Sequence, residues 1–409
     1  MKFVTHVTLA LLVSSSFSGL LAQDVAVRAQ VVHTSEGAAL RDAVVIVRGG
    51  KIAAVGPAAS TPIPAGMRTL TAAVVTPGLV DAHCVIGLAG HLNQPQDQDQ
   101  HDPTAPIQPE LRAIDAYNAR ERLVEWVRGF GVTTIHTGHS PSALISGQTL
   151  IAKTRGDTVD DAVIVPRAMI AATLGADSRD EGKGKSPGTA GKQLALLREA
   201  LVGAQDFQKK LANAGSDATK RPDRDLRKEA LVDVLLQKVP LLITAQRHQD
   251  IESALRLQKE FGFKLVLDGA AEAYVVIDSI RAAVVPVIAH PPMARFWGDL
   301  ENGSRETPLK LRDAGILFAF QSGFESYVPK TRVILYEAAV AAAHGLGADA
   351  ALRAITIDAA RILGVDSRLG SIAVGKDGDL ALYDGDPFEY VTHCVATVID
   401  GVVVFEGRR

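Results

Sequence analysis

Cysteine is almost absent from the chain: Cys84 and Cys394 are the only two in 409 residues. Two are too few for the disulfide framework of a small secreted scaffold, and a chain of this length builds a core large enough to need none. Both are read as buried apolar residues rather than a bridge or ligands. A basic stripe is missing as well. Lys and Arg are interspersed with Asp and Glu to a formal net charge of −3, so nothing is arranged to neutralise a phosphate backbone, and nucleic acid is not expected as a partner. No Gly-rich dinucleotide fingerprint follows any strand-like run, which argues against a doubly wound nucleotide-binding sheet. No repeat of solenoid period occurs, and no stretch beyond the N-terminus is long and apolar enough for a membrane span.

The N-terminus reads differently from the rest. Lys2 supplies a positive start, Val7–Val13 a short apolar run, and Ala22 a small residue before Gln23 and Asp24. That order predicts a signal peptide over residues 1–22 and export to the periplasm or medium.

Both ends of the mature chain carry hairpin signals. Ala43–Arg48 and Lys51–Val55 flank Gly49-Gly50, and Ala396–Ile399 and Val402–Phe405 flank Asp400-Gly401. Neither piece has enough strands to stand alone. The economical solution pairs residues 24–75 with 372–409 in one small β-sandwich domain.

Between the ends, strand-like runs alternate with helical patterns. Val74–Val80, Val132–Thr137, Ala162–Val165, Leu241–Ala245, Lys264–Leu267, Val285–Ala289 and Ile316–Phe320 are the clearest strands. Glu110–Arg128, Asp250–Phe261 (with Asp250 as N-cap), Thr331–His344 and Asp349–Leu363 read as helices. This alternation predicts α/β architecture, a (β/α)8 barrel over residues 76–371. The polar stretches Ser178–Lys192 and Asn213–Arg227 read as surface insertions.

Thr76-Pro77-Gly78-Leu79-Val80-Asp81-Ala82-His83 resembles the opening strand of the amidohydrolase superfamily, in its imidazolonepropionase-like branch. Ala359–Gly364, Leu369–Ile372, Val374–Leu380 and Ile399-Asp400-Gly401 resemble the superfamily's closing pattern, and Gln108–Ala113 and Ser146-Gly147-Gln148 are similar to that branch. The resemblance spans essentially the whole mature chain. It implies a TIM barrel with a small β-domain, and one or two divalent metals, often zinc, that generate hydroxide at the barrel mouth. It also implies a set of ligands: a His-x-His pair on strand 1, a Lys or Glu, histidines after strands 5 and 6, and an Asp after strand 8.

This chain departs from that ligand set. His83 matches the first strand-1 histidine, but Val85 stands at the second. The strand-5 histidines fall within Ile243-Thr244-Ala245-Gln246-Arg247, the strand-6 histidine near Asp268-Gly269-Ala270, and the strand-8 acid on Gln321-Ser322-Gly323. One imidazole cannot hold a catalytic zinc, which needs about three protein ligands. The expected protein is therefore a relative with a degenerate metal site and no cofactor, non-catalytic or ligand-binding. Its pocket is expected to hold His83, Asp81, Gln246, Asp268 and Ser322, with Asp81 as the partner of the His83 ring. The alternative is an active amidohydrolase with zinc or another divalent metal displaced onto His83, His139, His248 and His290, to which Asp268 and Glu325 add strand-end acids. A metal-free enzyme using His83 as acid–base is a third reading. The expected partner is a small molecule, and the composition leaves room for a homo-oligomer.

Overall fold

The computed structural model describes residues 24–92, 94–179, 187–324 and 333–407. The expected signal peptide and Glu325 lie outside the described residues. No helix among the described residues is long and apolar enough to cross a membrane.

The chain opens with β1 (Val25–Val32), β2 (Leu40–Arg48), β3 (Lys51–Pro57) and β4 (Arg68–Pro77). Ten central strands follow: β5 (Leu79–Cys84), β6 (Val132–Thr137), β7 (Ile145–Gln148), β8 (Leu150–Lys153), β9 (Val163–Val165), β10 (Ile170–Thr173), β11 (Leu241–Ala245), β12 (Leu265–Gly269), β13 (Val287–Ala289) and β14 (Phe318–Phe320). The chain closes with β15 (Leu380–Tyr383), β16 (Cys394–Ile399) and β17 (Val402–Glu406). Strands from the two ends share one seven-stranded sheet, in the order β17-β16-β15-β4-β1-β2-β3. Its edges approach each other at the hairpin turns: Gly378 N–H donates to Gly50 C=O (2.8 Å), and Gly401 N–H donates to Gly378 C=O (3.1 Å). Val25, Val27, Val45, Val47, Leu380, Leu382 and Val398 fill its core.

The run Val74–Val80, read as one strand, is two. β4 ends in the terminal sheet, where Pro77 pairs with Leu380, and β5 starts in a central sheet beside Val132. The crossing is possible because residue 78 is glycine. A Cβ there would stand 2.2 Å from the Thr133 hydroxyl oxygen, so a larger residue would push the two strands apart.

The central strands form a mixed α/β structure. One sheet runs β14-β13-β12-β11-β10-β7 and the other β5-β6-β8-β9. β10 through β14 are parallel, as are β5 and β6. The expectation of an unbroken β/α alternation needs correcting at β7 and β8, which pair antiparallel with β10 and β6 respectively. Only residues 138–144 connect β6 to β7. A parallel return needs a crossover of a dozen or more residues, so this segment comes back antiparallel. β7 and β8 are consecutive, separated only by Thr149, and join the two sheets on one side. Cys84 and Gly323 bridge them on the other, with Gly323 N–H donating to His83 C=O (3.2 Å). Ladders broken in this way form separate sheets rather than one regular parallel ring.

Helices depart from expectation where side chains set their ends. Of Glu110–Arg128, only Arg122–Arg128 is α-helical, because the Glu121 carboxylate caps it by accepting from Leu123 N–H. The helix expected to start at Asp250 spans His248–Phe261. Ile334–Ala341 stands where Thr331–His344 was expected, and Asp349–Leu363 divides into Ala348–Ala354 and Ile357–Ile362 at Thr356.

A buried ion cluster ties the central strands to the terminal sheet. Lys153, at the end of β8 with a side chain 5% exposed, donates from Nζ to Asp377 (2.7 Å), Asp379 (3.2 Å) and Asp400. Lys51 and Arg368 also reach Asp377, at 2.5 and 2.9 Å, and Arg155 reaches Asp400 at 3.3 Å.

Candidate functional site

Parallel strands carry their C-terminal ends to one edge, and that edge holds the site. His83 on β5, Thr244 on β11, Asp268 on β12 and Gln321 just past β14 meet there, all buried. Asp268 is their centre. Its Oδ1 accepts from His83 Nδ1 (3.0 Å) and Gln321 Nε2 (2.8 Å), and its Oδ2 accepts from Thr244 Oγ1 (2.6 Å). Three donors on one carboxylate hold it ionised: burial alone would raise its pKa, but the His83 charge and the hydrogen bonds bring it below the ordinary value. For His83 the balance is the mirror image. Burial lowers its pKa, and the Asp268 charge and hydrogen bond outweigh that and raise it.

Asp81 is not the partner of the His83 ring. Its Oδ1 accepts from the backbone N–H groups of Ser322 (3.0 Å) and His83 (3.3 Å), so it ties β5 to the end of β14. Burial, only partly offset by the bonds from Ser322 and His83, raises its carboxyl to about 6. The ring instead finds Asp268, 185 residues further along the chain.

The sequence reading gave His136 no role, yet its ring centroid lies 5.5 Å from that of His83. Its Nδ1 donates to the Ala82 carbonyl and its Nε2 accepts from Thr149 Oγ1, both at 2.6 Å. Burial, with the His83 charge beside it, drives its pKa down to about 3, so it is a neutral packing residue.

A cavity of about 400 Å3 opens over the ends of β11 to β14 and is lined in part by Thr244, Gln246, Asp268, His290 and Gln321. Gln246 occupies space only a glycine leaves. Residue 269 has φ +74°, and a Cβ there would lie 2.4 Å from the Gln246 amide nitrogen. The left-handed φ favours glycine at this position, near where the resemblance placed a histidine. Asp177, Asp299 and Trp297 line the outer part of the cavity. The sequence reading missed all three because they sit in connecting loops, where no periodicity marks direction.

The displaced metal set does not assemble. His248 turns away: its Nδ1 and backbone N–H both meet Glu272 Oε2, at 2.6 and 2.9 Å. His139 is buried against Gly147 with no hydrogen bond at either ring nitrogen. His290 lies on the cavity wall with Nδ1 against the Pro291 carbonyl, 3.1 Å away. Among the described residues, no three His, Cys, Asp or Glu side chains form a group able to hold a metal ion. The donor chemistry at the strand ends does not fit a metal either. A divalent cation needs converging lone pairs, whereas here N–H and O–H groups converge on an anion. Val85, at the second strand-1 position, is buried and apolar.

Comparison with known proteins gives the same ancestry. A family model described as "Amidohydrolase family" matches residues 328–405. The structure of an amidohydrolase from Thermotoga maritima MSB8 superposes with a TM-score of 0.88 at 27% identity, covering 94% of this chain and 100% of that one. The chain belongs to the amidohydrolase superfamily. A 5-methylthioadenosine/S-adenosylhomocysteine deaminase of Symbiobacterium thermophilum is 24% identical over 91% of each chain. Amidohydrolase tasK of Hapsidospora irregularis is 23% identical over 81% of this chain, which spans only 36% of that relative's length.

Proposed function

We propose that this amidohydrolase relative binds a small molecule at the barrel mouth without a hydrolytic metal. The observation that carries the reading is the Asp268 carboxylate, which already accepts from His83, Thr244 and Gln321. A cation inserted there would compete with these buried hydrogen bonds and would gain one carboxylate and at most one imidazole, His83, whose Nε2 has no partner. The superfamily's fold supports reading the joined sheets as its eight-position barrel, with the consecutive β7 and β8 sharing one position and the edge strand β9, paired only with β8, outside the ring. The expected result is less than about 0.1 zinc per chain after incubation with excess zinc and desalting, with no shift in unfolding temperature on adding zinc or chelator. One or two tightly held zinc ions per chain, removed by chelator with loss of amide or amidine hydrolysis, would overturn the reading in favour of the displaced-metal enzyme.

We propose also that the protein is exported, on the strength of the Lys2, Val7–Val13 and Ala22 pattern. N-terminal sequencing of protein from the native host is expected to begin near Gln23. A chain beginning at Met1 would refute export by cleavage.

A further inference from the structure

We propose that the mouth cavity selects a small monocation, an ammonium or guanidinium group carried on an apolar body. This rests on the ligand-binding reading above and names the ligand class of that site.

The charged groups on the cavity wall are Asp268, Asp299, Asp177 and Arg295. Three already have partners. Asp268 holds its three donors. Asp299 pairs with Arg247 at 2.9 Å and accepts from Ala176 N–H at 2.7 Å. Arg295 is engaged in a contact of its own. Asp177 has no hydrogen bond or ion pair among the described residues, yet it faces the same cavity. Crowding by surrounding protein and the like charge of Asp299 both raise its pKa. An arriving cation relieves that repulsion, whereas an arriving anion adds to it. Among the described residues, one carboxylate of the cavity is left unmatched, which calls for one positive charge.

A second, independent feature asks for a donor too. His290 is 1% exposed, lines the cavity, and has no hydrogen-bond partner at Nε2. Burial, partly offset by the Pro291 and Ser304 carbonyls, holds its pKa below the usual value, so the ring is neutral. With the proton on Nδ1, against the Pro291 carbonyl, Nε2 presents a lone pair. An N–H group of the ligand would satisfy it. Trp297, 67% exposed on the same wall, supplies the aromatic surface that an apolar body or a cation prefers.

The test uses the full mature chain and three probes of one shape: benzylammonium, benzyl alcohol and benzoate. Binding is read by calorimetry and by the fluorescence of Trp297, with Trp297→Phe isolating the signal of Trp126. Benzylammonium is expected to bind about tenfold or more tighter than benzyl alcohol, with benzoate weakest. Asp177→Asn should erase that preference without lowering the unfolding midpoint, because Asp177 has no hydrogen bond or ion pair among the described residues and its charge is repelled by Asp299, and Asp177→Glu should retain part of it. Equal binding of the three probes, stronger binding of benzoate, no saturable binding of benzylammonium, or a preference that survives Asp177→Asn would each overturn the proposal. The metal content of the same preparation separates the two readings. A zinc-free protein with no amine preference defeats the ligand class alone. A zinc-loaded protein that still prefers the amine defeats the metal-free reading alone.

Discussion

Replacing Lys153 with methionine is expected to destabilise the protein by about 3–5 kcal/mol at pH 7, the range for removing one partner of a buried charge group. The ammonium is the common counter-ion of Asp377, Asp379 and Asp400, and methionine fills its volume without its charge. Lys51 and Arg368 still neutralise Asp377 and Arg155 still faces Asp400, so the uncompensated group is Asp379, which is 6% exposed. Adding Asp379→Asn to Lys153→Met should recover part of the loss in urea unfolding. If the double variant is no more stable than the single one, Lys153 acts by packing and not by charge.

The same cluster gives the wild-type protein a pH signature. The Asp377 carboxyl sits at about 2: burial would raise it, but Lys153, Lys51 and Arg368 hold it well below its ordinary 3.8. The stability it contributes is present above pH 3.8 and is lost as pH falls towards 2. The Asp379 carboxyl, raised to about 6 by burial against the pull of Lys153, has the opposite sign. Its native state binds more protons between pH 3.8 and 6, so stability falls as pH rises through that window. Asp377 stabilises fully above about pH 3.8 and Asp379 most below it, so together they favour the native state most near pH 4. The Lys153→Met deficit should shrink towards pH 4, where the carboxylates it strands become protonated.

What could be read in the sequence was what local chemistry dictates. The Gly49-Gly50 and Asp400-Gly401 turns define their hairpins within a few residues, and both hairpins are present in the structure. The Thr76–His83 motif placed His83 at a strand end in the same way. The partners of those residues are set by distant parts of the chain. Asp81 looked like the His83 partner because alternate strand residues share a face, but only the pairing of β5, β14, β13 and β12 brings Asp268 to the ring. His248, two residues beyond Gln246, would share its face only on a continuing strand, but β11 stops at Ala245 and a helix begins at His248. The antiparallel return of β7 and β8 was hidden because both strands are buried along their whole length, as a parallel strand is. Only the seven-residue spacing from β6 carried the signal.

Replacing Asp268 with alanine should have the largest effect at the site, a loss of about 3–5 kcal/mol. The side chain removed is small, so packing contributes little to that figure. The cost lies in the three donors left behind: His83 Nδ1, Thr244 Oγ1 and Gln321 Nε2, of which only Gln321 has a second acceptor, the Ile288 carbonyl at 3.2 Å. A buried donor without a partner costs about 1–3 kcal/mol, and the His83 ring also loses the charge that raised its pKa. Asp268→Asn should be milder, because one amide oxygen still accepts while the amide nitrogen opposes a donor. A metal centre would behave differently: removing a ligand would weaken zinc binding, and the stability lost would depend on the zinc concentration. The unfolding of wild-type and Asp268→Ala protein, compared with and without zinc, therefore separates the two cases. If Asp268 centres a hydrogen-bond network, the difference between the two proteins is the same in both conditions. If the difference appears only when zinc is present, Asp268 is a ligand, and the site at the strand ends is that of a metalloenzyme.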